Sequence, residues 1–442
     1  MAKHTGRLLH WNIYETHLDE AAFRWTQWEQ ALDAPDFTLA DVAELEEQFT
    51  AHVDGLVLGR EPVARRLLEP ALESDEPERI ATAALALLRS EEPFGPASVL
   101  AALPSAPIPA LLPLQRALEL APSSASLAGL PSLLKQEGVS PELLPLVLEV
   151  LGSQGLATAE VCLPFVAHSN PQVAAAGLRA ASHSRLPIAP SVVQRALDAD
   201  THLLRDAAIV AGLQGGHRGA WAACQAAAEP GGSGGRLPLL LLAMNGDDRD
   251  LKLLLARLSG EKSRPDALWA LGFSGRVAAA DACVEHMRHE PTAALAGEAF
   301  SAITGLPIEA DFAVPKEEPE EGLAPLEEED LDANLNLKPE DALPIPNSEK
   351  VMAWWHDIRP RLDAKQRYLA GTPFTPQALL DGLVNMPMRR RHALALELAL
   401  RSRGAIQVPT RRWVATQVLT WTEARTAPTS LYSRPFAEGL RG

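Results

Sequence analysis

The sequence has 442 residues, of which 47% are hydrophobic and only 5% aromatic, and its formal net charge is −17. Its apolar residues are mainly Ala and Leu, which favour helices over strands, and none of its apolar runs reaches the roughly 18 residues that a membrane span needs. The sequence has three cysteines, and no two of them form a CxxC motif. The odd count argues against a disulfide framework, and it predicts a reducing, cytoplasmic location.

The charge is distributed unevenly along the chain. Residues 1–310 carry 23 basic and 38 acidic side chains, residues 311–342 carry 2 and 12, and residues 343–442 carry 15 and 7. An acidic body repels the phosphates of nucleic acid and of anionic membranes. The distribution therefore predicts a basic protein as the partner, with neither nucleic acid nor membrane. The alternative is that the acidity only maintains solubility.

Residues 1–60 are predicted to form a helical N-terminal cap. Two sets of apolar residues recur at helical spacing in this segment. The first set comprises Leu18, Ala22, Trp25 and Trp28, and the second comprises Val42, Leu45, Phe49 and Val53.

Residues 61–310 contain a repeat of about 30 residues, which is the strongest signal in the sequence. Each unit has an Ala- and Leu-rich segment that ends at a small or polar residue, preceded by a shorter apolar segment. Equivalent positions are Ala121, Leu151, Ala181, Gly212, Ala243, Gly272 and Ile303. A helix, a turn and a second helix fit this length, and such hairpins bury their apolar faces by stacking.

The repeat resembles the HEAT class. Asn170 and Pro171, followed by Val173 and an Ala-rich segment, match its pattern, with Asn as the helix cap and Pro in the first turn. The short period resembles the bilin-lyase-like branch of that class. The predicted fold is therefore an all-α, HEAT-like solenoid of about eight helical hairpins.

Three further segments follow the repeats. Residues 311–345 are acidic and contain proline, and they are predicted to be an extended or disordered linker. Residues 346–421 are predicted to form a small basic helical C-terminal domain, and residues 422–442 a loose tail.

Two clusters in the C-terminal domain are candidate partner-binding residues. Trp354 and Trp355 are of a type that is enriched at binding hot spots, but they also fit the core or the docking surface of this domain. Arg389, Arg390 and Arg391 could contact phosphate, but the acidic linker offers them an internal partner.

No catalytic residue, cofactor or metal site is expected. His286 and His289 lie three residues apart and could begin a metal site, but a solvated helix face is the preferred explanation. Cys162, Cys224 and Cys283 are spaced by two repeats each, which is typical of small buried residues at a helix seam.

The two ends of the chain resemble an uncharacterised family of bacterial HEAT-repeat proteins. The resemblance lies in residues 17–23 (HLDEAAF), 51–56 (AHVDGL), 354–355 (WW), 367–371 (RYLAG) and 389–400 (RRRHALALELAL). Genes of that family are often found near type VI secretion clusters. The resemblance implies a non-catalytic scaffold that acts as an immunity protein or an adaptor in secretion.

Two enzyme classes remain as alternatives. The bilin-lyase-like repeat suggests a lyase or chaperone that acts on a tetrapyrrole. A DNA-repair glycosylase of the HEAT class would need a basic binding face, and the acidic repeat region counts against it.

Overall fold

The computed structural model describes residues 9–122, 124–136, 138–229, 235–315 and 338–440. Their regular secondary structure is almost entirely helical. The named strands among them have two residues each, β1 (Tyr368–Leu369) and β2 (Thr372–Pro373), and form an antiparallel hairpin. The prediction of an all-α fold is thus confirmed. Among the described helices, none is both long enough and apolar enough for a bilayer crossing.

Most of the described helices follow one another with short connections. In chain order they are α1 (Trp11–Ala31), α2 (Leu39–Val57), α3 (Arg60–Val63), α4 (Glu69–Ala71), α5 (Pro77–Leu88), α6 (Phe94–Ala102), α7 (Ile108–Glu119), α8 (Leu130–Leu133), α9 (Leu143–Ser153), α10 (Ala159–Cys162), α11 (Pro171–His183), α12 (Pro190–Leu197), α13 (His202–Gly215), α14 (Arg218–Ala228), α15 (Arg236–Asn245), α16 (Asp248–Ala256), α17 (Arg264–Ser274), α18 (Val277–His286), α19 (Ala293–Thr304), α20 (Ser348–Ile358), α21 (Pro376–Asn385), α22 (Met388–Arg401) and α23 (Val414–Thr426).

The chain divides into two compact units. Unit 1 comprises Met1–Leu32, Phe37–Ala223 and Leu394–Gly442, and unit 2 comprises Asp33–Asp36 and Cys224–Ala393. The segment predicted as a C-terminal domain, residues 346–421, thus contributes residues to both units. Of the predicted linker, residues 316–337 lie outside the described part of the chain.

In unit 1, the second helices of the predicted hairpins pack against one another in sequence. Helix α5 packs against α7, α7 against α9, α9 against α11, and α11 against α13. The start of α11 shows how the sequence fixes these helices: Asn170 is the N-cap, its side chain accepts a hydrogen bond from the Gln172 N–H, and Pro171 occupies the first turn. Val173 and the alanines that follow it are buried.

In unit 2, α15, α17 and α19 form an equivalent row, with α16 and α18 beside them. Asp247 caps α16 and forms a reciprocal capping box with Asp250. The C-cap residues that follow α17 and α19 are Gly275 and Gly305, whose positive φ angles of 63° and 76° suit glycine.

A segment of unit 2, residues 367–371, lies across the C-terminal ends of this row, and we call it the unit 2 strap. It donates hydrogen bonds to carbonyl groups that no longer have a partner within their helix. These bonds run from Arg367 to the carbonyls of Met244 and Phe273 (both 3.0 Å), from the Tyr368 N–H to Gly275 (2.7 Å), from the Ala370 N–H to Ala302 (2.8 Å) and from the Gly371 N–H to Ile303 (2.9 Å). The cationic Arg367 also suits the negative end of a helix dipole.

Unit 1 has a corresponding feature, residues 404–414, which we call the unit 1 strap. It too meets the C-terminal ends of the second helices. The bonds run from Gln407 to the His183 carbonyl (2.7 Å), from Arg412 to the Ser153 carbonyl (3.4 Å) and the Gln154 side chain (2.9 Å), and from the Trp413 indole to the Leu120 carbonyl (2.9 Å). Residues of a single short segment thus cap α7, α9 and α11.

The segment predicted as a loose tail, residues 422–442, is packed where it is described. Tyr432, Phe436, Ala437 and Leu440 are buried. The Phe436 ring meets Trp221 edge-on, with ring centroids 6.1 Å apart. This ring contact helps to hold the segment against the rest of unit 1.

Candidate functional site

The two tryptophans that the sequence singles out lie on α20 in unit 2, and they differ in exposure. Trp355 is buried, and its indole N–H donates to Asp281 at 2.9 Å. Its ring meets Phe300 edge-on at 5.3 Å. Trp354 is half-buried, and its ring lies 6.0 Å from Phe300. Trp355 therefore docks α20 on its own unit, which is one of the two roles that the sequence allows.

Asp281 joins this contact to a salt bridge. Arg359 donates two hydrogen bonds to its carboxylate, at 2.6 and 2.8 Å. Burial alone would raise the pKa of Asp281, but the hydrogen bonds from Arg359 and Trp355 outweigh it, and the pKa lies below its ordinary value. Asp281 is therefore a charged internal anchor for α20.

The three arginines of the triplet are all buried in unit 2. Arg389 forms ion pairs with Glu298 (3.4 Å) and Glu340 (2.9 Å), and Arg390 lies 3.7 Å from Glu298. Arg391 donates to the Leu383 carbonyl. Because Glu340 belongs to the predicted acidic linker, the pairing agrees with the internal alternative that the sequence offers, and it leaves these guanidinium groups little access to a partner.

An aromatic ring organises this cluster. The guanidinium groups of Arg236 and Arg389 lie over the ring of Trp269, a residue of α17, at 4.2 and 4.6 Å from the ring centroid. Arg390 lies 3.9 Å from the ring centroid of Phe273. Gly272 makes room for it, since a Cβ there would lie 2.8 Å from Arg390 Nη2.

Burial lowers the pKa of Arg390 and of Arg391 to about 10. Both side chains therefore stay charged at neutral pH. Within the described residues, the Nε, Nη1 and Nη2 atoms of Arg390 have no hydrogen-bond acceptor. Its charge is compensated mainly by Glu298 and by the faces of the aromatic rings.

The structure also shows a cluster in unit 1 that the sequence does not reveal. Trp413, in the unit 1 strap, packs on Trp28 and Phe49, with ring centroids 5.2 and 6.3 Å apart. Beside it, both carboxylate oxygens of Glu46 accept from the Val414 N–H, at 3.1 and 2.9 Å. Glu46 thereby caps the first turn of α23.

Glu46 has an unusual titration. Burial raises its pKa to about 7, although hydrogen bonds from Val414 and Trp28 and the charge of Arg89 favour the ionised form. The only signal in the sequence is a glutamate near the apolar face of a predicted amphipathic helix. It identifies neither Val414 nor Trp413 as a neighbour.

We expect the docking of α23 to weaken as the pH rises from 5 to 8. A carboxyl group whose pKa is raised in the docked state stabilises that state fully below its ordinary value of 4.5, and this contribution is lost as the pH rises through about 7. For a fully buried group, raising the pKa from 4.5 to about 7 would change the free energy of docking by about 3 kcal/mol. The partial exposure of Glu46 reduces this change to about 1–2 kcal/mol.

Hydrogen exchange of residues 414–426 at pH 6 and pH 8, corrected for intrinsic rates, measures this change. In Glu46→Gln the side-chain amide oxygen still accepts a hydrogen bond from the Val414 N–H, but the side chain does not ionise. The protection of residues 414–426 in this variant should therefore be independent of pH. An equal pH dependence in the two proteins would contradict the assignment to Glu46.

The candidate metal and thiol residues are placed as follows. His289 lies 2.9 Å from Arg264, and His286 Nδ1 lies 2.9 Å from the Ala282 carbonyl. Among the described residues, no group of three or more His, Cys, Asp or Glu side chains could hold a metal ion. The three cysteines are buried, and burial raises the pKa of Cys162 to about 11 and that of Cys283 to about 12, which disfavours the reactive thiolate.

An open groove of about 620 Å³ lies in unit 2 between α16 and α18. Its lining combines leucine and alanine side chains with Arg264, Asp281, Glu285 and His286. Its volume is within the range of ligand sites, but its charges are mixed and Asp281 is already engaged.

Comparison with known proteins adds no assignment: no family model matches the chain, and no curated protein matches it.

Proposed function

We propose that the chain is a non-catalytic scaffold, built as a HEAT-like superhelix of helical hairpins, that binds a basic protein. The repeated packing of second helices in each unit supports the architecture, since hairpins that stack in this way form extended binding surfaces. The resemblance at the two ends of the chain supports a role in type VI secretion, as an immunity protein or an adaptor.

The observation that carries this proposal is the excess of free carboxylates on the N-terminal helices of unit 1. Residues 39–80 contain 11 acidic and 4 basic side chains. Several exposed acids have no ion-pair partner within the described residues, namely Glu15, Glu20, Glu44, Glu47, Glu73, Asp75 and Glu76. Such a surface accelerates and orients the approach of a basic protein.

Affinity capture of the tagged protein from its native cells, at low and then at high salt, tests the proposal. We expect one basic protein to be retained in stoichiometric amount at low salt and to be released at high salt, because exposed ion pairs are screened. Its identity would separate a toxin from a secretion component. A preparation that carries a coloured tetrapyrrole and no protein would overturn the scaffold and support the lyase or chaperone alternative.

A further inference from the structure

Two histidines of unit 1 face each other across the contact between α1 and α2. The Nδ1 atoms of His17 and His52 are 3.2 Å apart, and the two rings meet edge-on with their centroids 5.2 Å apart. Both side chains are half-buried, whereas the fully buried residues of the two helices are all apolar. The pair is therefore a polar contact at the border of an apolar helix interface.

The backbone of α2 positions the ring of His17. A Cβ at Gly55 would lie 2.9 Å from both Cε1 and Nε2 of that ring, which is closer than two such atoms can approach. Glycine at this position therefore lets one edge of the His17 ring lie against α2, while Nδ1 is turned toward His52. The two imidazoles thus come from neighbouring helices and meet at their Nδ1 atoms.

The separation of these two nitrogens suits a shared metal ion. Zn²⁺ binds imidazole nitrogens at about 2.0–2.1 Å in tetrahedral geometry, which places two such ligands about 3.3 Å apart. The observed distance of 3.2 Å is close to this value, and it lies at the long end of the range for hydrogen bonds from N–H donors. A zinc ion therefore requires only a small adjustment of the two rings.

The surroundings of His52 favour its neutral form, which is the form that binds metals. Burial, together with the charges of His17 and Arg24, lowers the pKa of His52, and the carboxylate of Glu20 opposes this effect only in part. A neutral imidazole carries its proton on either nitrogen, and the tautomer with Nε2–H leaves the lone pair of Nδ1 for the ion. Glu20 also follows His17 by one turn of α1, so a negative charge stands near a bound cation.

We propose that His17 and His52 bind one Zn²⁺ ion through their Nδ1 atoms, with water in the remaining coordination positions. The hydrogen bond between the rings is then lost, and the proton that it used passes through water to Nε2 of its own ring. Among the described residues no third His, Cys, Asp or Glu completes the site, so its other positions stay open. The ion would join α1 to α2. This inference is independent of the proposed scaffold role.

Titration calorimetry of the full chain, purified without a histidine tag and freed of metal with a chelator, measures the binding of Zn²⁺. We expect saturable binding of one ion per chain. His52→Ala should weaken it by about tenfold or more, because a direct ligand is lost. The matched control is the double variant His286→Ala, His289→Ala, in which each histidine has a ring nitrogen already engaged, by Ala282 and Arg264 respectively. The control should bind Zn²⁺ as tightly as the original protein.

A second variant and a second readout separate the loss of a ligand from a loss of folding. Gly55→Ala keeps both histidines, but its Cβ displaces the ring of His17, so it too should weaken Zn²⁺ binding while circular dichroism stays unaltered. Zn²⁺ should slow hydrogen exchange of residues 11–31 and 39–57 in the original protein, because an ion that binds only the folded state stabilises it. The same addition should have no effect on His52→Ala.

Three outcomes would overturn the site. The first is the absence of saturable Zn²⁺ binding to the original protein. The second is equal binding by the original protein and by His52→Ala. The third is a loss in the control double variant as large as that in His52→Ala, which would place the ion elsewhere.

Discussion

Replacing Glu298 with Ala should lower the free energy of unfolding of unit 2 by about 3–5 kcal/mol, because it leaves two buried guanidinium groups without their shared carboxylate. The Glu298 side chain is only 9% exposed, and it pairs with both Arg389 and Arg390. Arg389 would keep Glu340, whereas Arg390 would keep only the aromatic faces of Trp269 and Phe273.

Urea denaturation of the full chain, with hydrogen exchange of residues 293–304 as the local probe, measures this loss. Glu349→Ala, an exposed change in the first turn of α20, is the matched control and should cost less than about 0.5 kcal/mol. Arg390→Met should cost less than Glu298→Ala, because an apolar chain of similar length removes the charge instead of isolating it. A loss for Glu298→Ala as small as that of the control would show that Glu298 does not stabilise the cluster.

Replacing Gly275 with Ala should destabilise unit 2 by about 3 kcal/mol. The φ angle of +63° costs an alanine about 1–2 kcal/mol, and the new Cβ would overlap the carbonyl of Tyr368 in the unit 2 strap. Displacing that backbone is an overpacking cost of about 1–3 kcal/mol. The strap itself should therefore become less protected from hydrogen exchange around residues 367–371.

Gly155 provides the control for this substitution. It has a similar φ angle of +67°, but a Cβ there would meet nothing within 4 Å. We therefore expect Gly155→Ala to lower the free energy of unfolding only by the cost of an alanine at a positive φ angle, about 1–2 kcal/mol. Equal losses at the two positions would mean that contact with the strap contributes nothing at Gly275.

The repeated helices could be predicted from the sequence because their signals are local. Apolar spacing, the Asn170 cap and Pro171 all act within a few residues of the turn they determine, and α11 begins at Pro171 as predicted. The cap helices α1 and α2 were predicted for the same reason: Trp28, Val42, Phe49 and Val53 recur at helical spacing, and all four are buried.

The straps could not be predicted, because each of their hydrogen bonds joins residues far apart in the sequence. Arg367, Gln407 and Arg412 carry no periodic pattern, and a polar side chain gives no sign of which helix end it will cap. The arginine triplet shows the same limit. Its charge is visible in the sequence, but the Trp269 ring and the Glu298 carboxylate that surround it come from α17 and α19.

The unit 1 strap also bears on the order of events during synthesis. The Val414 N–H and its acceptor Glu46 are 368 residues apart in the chain, and at about 5–20 residues per second the ribosome needs roughly 20–70 s to pass from one to the other. Once α7, α9 and α11 have been synthesised, their terminal carbonyls lack the strap for the rest of that interval. The last turns of these helices should therefore fray on the ribosome and gain protection only when residues 404–414 leave the exit tunnel.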